Sequence, residues 1–225
     1  MKAMASLAHA ARPDWLAGRM ALKLAALAGR WPCDGEAALW PVSHRRDGEP
    51  YLTARPEIRC SIAHSGGAGL AAVAPMRVGV DIERSDALTS HRAETFASLS
   101  DLAALRPFHA PTTVAWAAKE AVLKATGKGL TTSPRSVTLR QRANRLSAEV
   151  GEPDGASVSE WTVFLYPHRK WAIVLALEGP WRQRPVLRWY QRAGLSPPGA
   201  TVVVGADAQG GAPPLIGANA ARLRI

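Results

Sequence analysis

Val78-Gly79-Val80-Asp81-Ile82-Glu83 alternates without a break, and that alternation constrains the fold more than any other stretch of the chain. A strand turns successive side chains to opposite faces. Val78, Val80 and Ile82 therefore share one face, while Gly79, Asp81 and Glu83 share the other. Two carboxylates side by side repel each other. They suit a solvated edge, or they suit a divalent cation that turns the repulsion into attraction. Carboxylate oxygens match Mg²⁺, which keeps several waters and fills its remaining positions with substrate phosphates. The spacing alone leaves both readings open.

A second patterned stretch runs from Thr112 to Thr126, with Thr112 or Thr113 expected as its cap and Gly127 and Gly129 ending it. Trp116, Glu120 and Lys124 recur every four residues and lie near one helix face. Glu120 and Lys124 are also an ordinary helix ion pair, worth about 0.3–0.5 kcal/mol. The Gly127-Lys128-Gly129 turn beyond them is of the kind whose backbone amides approach an anion.

Around these two stretches the periodicity predicts a helix over 14–30, with Leu16, Met20, Leu24 and Leu27 on its apolar side. Ile58–His64 and Gly69–Ala74 read as a hairpin joined by Ser65-Gly66-Gly67. A helical region is expected over 87–105, with Phe96, Leu99 and Leu102 inward. Four strands follow at 137–140, 146–150, 161–166 and 171–177.

No stretch reaches the roughly 18 apolar residues of a membrane helix, and Ala5–Ala11 is broken by His9 and lacks a signal-peptide core. Cys33 and Cys60 have no metal-ligand spacing and are expected to stay reduced. These features predict a cytoplasmic protein. A net charge of +10 favours an anionic partner without choosing one. The segment 179–225 holds six arginines, one acid (Asp207) and no lysine, and so supplies five of those charges. Pro197-Pro198, Gly210-Gly211 and Pro213-Pro214 break it, so it reads as an irregular, disorder-prone tail with one short element near 186–192.

Val78–Glu83 followed by Trp116-Ala117-Ala118-Lys119-Glu120-Ala121-Val122-Leu123-Lys124-Ala125-Thr126-Gly127-Lys128-Gly129-Leu130 closely resembles the two signature motifs of the Sfp-type 4′-phosphopantetheinyl transferases. Ser61-Ile62-Ala63-His64-Ser65 resembles a third family element, a strand ending in Ser-His-Ser. The three occur in the family's order, and the resemblance covers roughly residues 12 to 178.

The resemblance implies an α+β pseudo-dimer of two similar halves, 12–76 on the nucleotide side and 77–178 with the metal and catalytic motifs, followed by the tail. It implies transfer of 4′-phosphopantetheine from coenzyme A to a serine of an acyl or peptidyl carrier protein, releasing adenosine 3′,5′-bisphosphate. Asp81, Glu83 and Glu120 would hold Mg²⁺, with Glu120 also the base and Lys124 stabilising phosphate charge. Arg19, His64, Ser65, Lys119 and Lys124 would contact coenzyme A. A monomer is expected, with neither membrane nor nucleic acid as partner. The sequence departs from the pattern on the nucleotide side. Met20 replaces a common hydroxyl residue, Glu49 replaces the lysine of a Gly-Lys-Pro element, Ala63 replaces the first serine, and few residues precede the first helix. Those departures keep a second reading open, a transferase-like fold that binds nucleic acid or a partner through its basic tail.

Overall fold

The structure, a computed structural model, describes residues 12–29, 31, 40–88, 90–142, 145–151, 158–191 and 200–205. The stretch Ala5–Ala11, Cys33 and the tail positions 192–199 and 206–225 lie outside the described residues.

Helix α1 (Arg12–Ala28) leads into a small hairpin of β1 (Val42–His44) and β2 (Pro50–Leu52). The next hairpin is β3 (Arg59–Ser65) and β4 (Ala68–Ala74), with Gly66 and Gly67 at its turn, both at positive φ. After β5 (Val78–Arg84) come a 3₁₀ turn, Ser90–Thr95, and two helices, α2 (Leu99–Ala104) and α3 (Pro111–Ala125). The antiparallel strands β6 (Val137–Arg142), β7 (Arg145–Gly151), β8 (Val158–Tyr166) and β9 (Trp171–Glu178) follow, and then β10 (Val186–Gln191) and β11 (Ala200–Gly205).

These elements form an α+β structure of four layers. One sheet has the order β10-β11-β4-β3, the other β5-β9-β8-β7-β6. Leu70 and Ala72 of β4 meet Val80 and Ile82 of β5, Phe164 of β8 and Ile173 and Leu175 of β9 in a core shared by the two sheets. Helix α1 covers the outer side of the first sheet through Ala21, Leu22 and Ala25 against Cys60, Ala71 and Val73. Helix α3 covers the second through Ala118, Ala121 and Val122 against Val163, Val174 and Ala176. The alternation expected of β5 is there, yet Val78 to Ile82 are all buried. Val80 and Ile82 face the shared core, and α3 closes the other side.

Glycine sets both helix approaches. A Cβ on Gly79 would lie 1.8 Å from the Ala121 carbonyl oxygen and 2.7 Å from the Ala125 nitrogen. A Cβ on Gly69 of β4 would lie 2.3 Å from the Ala17 carbonyl of α1. Only a residue without a side chain lets either helix rest on its strand so closely.

Three local expectations change. The helical region over 87–105 is broken in two, because Ser98 and Asp101 form a reciprocal capping box that starts α2 afresh. Leu99, in the first turn after that cap, is 87 % exposed and does not join Phe96 and Leu102 in the core. Helix α3 starts at Pro111 behind Ala110 (φ 54°), not behind a threonine cap. Proline supplies the fixed φ of a first helical residue, and Thr113 donates its hydroxyl to the Ser85 carbonyl.

The segment expected as an irregular tail is partly regular. Strand β11 pairs in parallel with β4, and β10 pairs with β11. Trp181 and Leu187 pack against the shared core, and the Tyr166 hydroxyl donates to the Pro185 carbonyl. Branched Val202-Val203-Val204 was a strand signal passed over among the glycines and prolines around it.

Candidate active site

The site forms where α3 crosses β5. Gly79 lets the two backbones close up, so residues projecting from the same strand face meet residues one turn along the helix. Asp81 is 3 % exposed. Its Oδ1 accepts from the Lys124 ammonium at 2.6 Å, and its Oδ2 is buried with no hydrogen-bond partner. Lys124 also lies 3.4 Å from Glu120 Oε2. Glu83 completes the cluster and accepts from the Ser65 hydroxyl at 3.0 Å. That bond ties the end of β3 directly to the carboxylates.

The electrostatics follow from three acids around one cation. Burial, then the neighbouring Asp81 and Glu120 charges, push the Glu83 carboxyl up to about 7, against the Ser65 bond and Lys124. Burial and Asp81 also raise Glu120, with Lys124 opposing them. Burial disfavours the Lys124 ammonium, but Asp81 and Glu120 outweigh it and the lysine's pKa ends up raised. The cluster therefore carries excess negative charge, an orphaned buried oxygen and a carboxyl close to titration at neutral pH.

Lys124 stands among these acids as the local cation. Among the described residues, no group of three His, Cys, Asp or Glu side chains is arranged as it stands to hold a metal ion. The carboxylates gather around the lysine rather than forming a ready cage. Their chemistry still suits a hard divalent cation: oxygen donors only, one of them without a partner.

The expected coenzyme A contacts divide. Ser65 reaches the cluster, and His64 beside it is exposed at the end of β3, where Gly18 of α1 approaches its ring. Arg19 lies on α1 at the first half's edge. Its guanidinium sits 5.0 Å over the Trp15 ring, donates to the Val42 carbonyl at 3.3 Å and lies 3.1 Å from His44 Nε2. None of these contacts involves Asp81, Glu83 or Glu120.

Lys119 is elsewhere altogether. It is 1 % exposed, and its ammonium pairs with Asp101 at 2.8 Å and donates to the Pro134 and Val137 carbonyls at 3.2 and 2.5 Å. An ammonium with all three donors engaged inside the protein has none left for a phosphate. The expected coenzyme A contact at Lys119 is therefore corrected to an internal tie between α3, α2 and β6. Adjacent helix residues point about 100° apart, so Lys119 faces inward here while Glu120 faces the site.

The departures on the nucleotide side have structural places too. Glu49 is buried between Arg59 (2.6 Å) and Arg45 (3.2 Å). Ala63 is 4 % exposed in the shared core, where a serine hydroxyl would need a partner. In the Gly-Lys-Gly turn, Gly127 and Gly129 have positive φ, and the Asp47 carboxylate lies against Gly127. The sequence reading missed Asp101, which accepts from Ser98, Leu139 and Lys119, and Ser61, whose hydroxyl accepts from the Val80 amide and joins β3 to β5.

A pair of carboxylates on a glycine-bearing strand is thus met by a helix that carries Lys124 and Glu120. Residues 77–176, from the start of β5 nearly to the end of β9, match the family model of the 4′-phosphopantetheinyl transferase superfamily. The chain is also 34% identical over 119 residues to a 4′-phosphopantetheinyl transferase of Bacillus subtilis. That alignment takes in 48% of this chain and 50% of the relative, so the chain spans about half the length of the curated relative it matches. No helix among the described residues is long and apolar enough to cross a membrane.

Proposed function

We propose that this chain transfers 4′-phosphopantetheine from coenzyme A to a serine hydroxyl of an acyl or peptidyl carrier protein. The observation that carries the reading is the meeting of Asp81, Glu83, Glu120 and Lys124 beside Ser65. The serine oxygen forms a bond to the phosphorus that bears the pantetheine arm. The bond from that phosphorus to the bridging oxygen breaks, and adenosine 3′,5′-bisphosphate leaves.

Glu120 is the base that takes the serine proton. Burial and Asp81 raise its pKa, and a carboxylate of raised pKa is a better proton acceptor near neutral pH. Lys124 neutralises charge on the phosphate oxygens, since such transfers depend on positioning and charge compensation. Asp81, Glu83 and Glu120 would hold Mg²⁺, which when bound would offset pyrophosphate charge. His64, Ser65 and Arg19 would contact the coenzyme A phosphates. The one-helix-per-sheet layering and the paired glycines Gly69 and Gly79 support reading the halves as a pseudo-dimer. The same reading makes the protein a cytoplasmic monomer.

Pairing of β11 with β4, and of β10 with β11, weighs against a tail kept free for nucleic acid. The test is Glu120→Gln. It should melt like the wild type while losing phosphopantetheine transfer; full activity in this variant would remove Glu120 as the base.

A further inference from the structure

Asp101 and Lys119 form a buried ion pair that the transfer reading does not use. Asp101, on α2, is 2 % exposed. Its Oδ2 accepts from the Ser98 amide, the Ser98 hydroxyl and the Lys119 ammonium, each at 2.8 Å. Its Oδ1 accepts from the Leu139 amide at 2.7 Å. Strand β6 is an edge of its sheet, and this bond takes up an amide of that edge. Lys119 adds the Pro134 and Val137 carbonyls. One pair of side chains therefore joins α2, α3, the turn before β6 and β6 itself.

The pair lies one residue from the proposed base. Adjacent helix residues point about 100° apart, so a fixed Lys119 also fixes the direction in which Glu120 leaves the helix. Packing gives α3 less help. Five of its ten buried residues are alanines, and Gly79 lets its backbone lie close on β5. Small side chains make shallow ridges, which hold the distance of a helix better than its rotation about its own axis. A second tie, Lys124 to Asp81 at 2.6 Å, reaches from α3 to β5 inside the site. In the transfer reading Lys124 serves the phosphate, so substrate loosens that tie. The hydrogen bonds of Asp101 and Lys119 involve none of Asp81, Glu83 and Glu120, and substrate leaves them in place.

We propose that Asp101 and Lys119 are positioning residues for the transfer: their pair sets the rotation of α3 and keeps Glu120 turned toward the acceptor serine while Lys124 engages phosphate. The proposal rests on the transfer reading. Asp101 is the fixed member, because Ser98 and Leu139 hold it independently of the lysine.

The test compares Lys119→Met, which removes the pair, with Lys119→Arg, which keeps a cation for Asp101. Turnover is measured well below the melting temperature of each variant and expressed per folded molecule. A displacement of about 1 Å at a reacting group costs about a hundredfold, so a partial turn of α3 should lower the kcat of Lys119→Met by about ten- to a hundredfold. Both KM values should stay unchanged, and Lys119→Arg should recover most of the loss. Trp116 supplies a readout independent of activity. It lies on α3 one turn before Glu120 and meets Phe96 edge-on, with ring centroids 5.1 Å apart. In protein carrying 5-fluorotryptophan, its fluorine resonance, assigned through Trp116→Phe, should shift in Lys119→Met and return toward its wild-type position in Lys119→Arg. A pair that only stabilises the fold would lower the melting temperature of Lys119→Met and leave kcat per folded molecule and the Trp116 resonance as in the wild type; that result overturns the inference. So does a rise in either KM with kcat unchanged. If the wild type transfers nothing, the transfer reading fails on its own; a Trp116 resonance that shifts in Lys119→Met and returns in Lys119→Arg would still support the pair as the device that sets α3, and an unmoved one would overturn it.

Discussion

Replacing Lys119 by methionine separates an internal tie from a substrate contact. The lysine is 1 % exposed and engages Asp101, Pro134 and Val137. Removing one partner of a buried pair typically costs about 3–5 kcal/mol, because the other charge is left stranded. Asp101 keeps its bonds from Ser98 and from the Leu139 amide, which cushions the loss. The expected cost is therefore near the low end, about 3 kcal/mol. With a urea m-value of about 2 kcal/mol/M, the unfolding midpoint should fall by about 1.5 M. The coenzyme A KM of the folded variant should not move.

The pH dependence adds a second signature. Burial alone would raise the Asp101 carboxyl, but Lys119, Ser98 and Leu139 outweigh it and hold the carboxyl below its ordinary value. A depressed carboxylate stabilises the fold above its unfolded value, and that contribution is lost as pH falls through its folded value. The deficit of the variant should therefore be greatest near neutral pH and shrink below about pH 4. An unchanged urea midpoint together with a raised coenzyme A KM would refute the reasoning and restore Lys119 as a phosphate contact.

Three further perturbations test the fold around the site. Gly79→Ala places a Cβ 1.8 Å from the Ala121 carbonyl, so α3 must move off β5; a loss of at least about 3 kcal/mol is expected in denaturant melts, and a wild-type melt would contradict the close approach. Cys60 is 1 % exposed, and burial pushes its thiol up to about 12; peptide mapping should find it unmodified by a thiol reagent at pH 8 in the native protein and modified in urea. Ending the chain after Glu178 strips β10 and β11 from β4 and removes Trp181 and Leu187 from the shared core; the melting temperature should drop, whereas an unchanged melt would mark these strands as dispensable.

How much of this the sequence disclosed depended on whether the decisive interaction was local. The strand Val78–Arg84 and the helix Pro111–Ala125 were legible because their patterning is strong and continuous. Glu120 and Lys124 were legible as neighbours for the same reason. Their meeting with Asp81 spans 43 positions in the chain for the lysine pair, and spacing alone could not choose it over an ordinary helix ion pair. The ordered motifs supplied that choice. Lys119 was misread because its motif position says nothing about direction; burial against Asp101 decides that, and Asp101 lies in a separate element. Strand β11 was hidden by the glycines and prolines around it, since its parallel partner β4 lies more than a hundred residues earlier.

Transfer itself is the most direct test of the central claim that Asp81, Glu83, Glu120 and Lys124 form a phosphopantetheinyl transfer site. The purified chain is mixed with a fluorescent coenzyme A and a panel of apo acyl and peptidyl carrier proteins, with and without Mg²⁺, and the products are read by in-gel fluorescence and peptide mass mapping. The expected result is Mg²⁺-dependent labelling of one serine on at least one carrier. Tight coenzyme A binding with no labelling of any carrier in the panel would contradict the account.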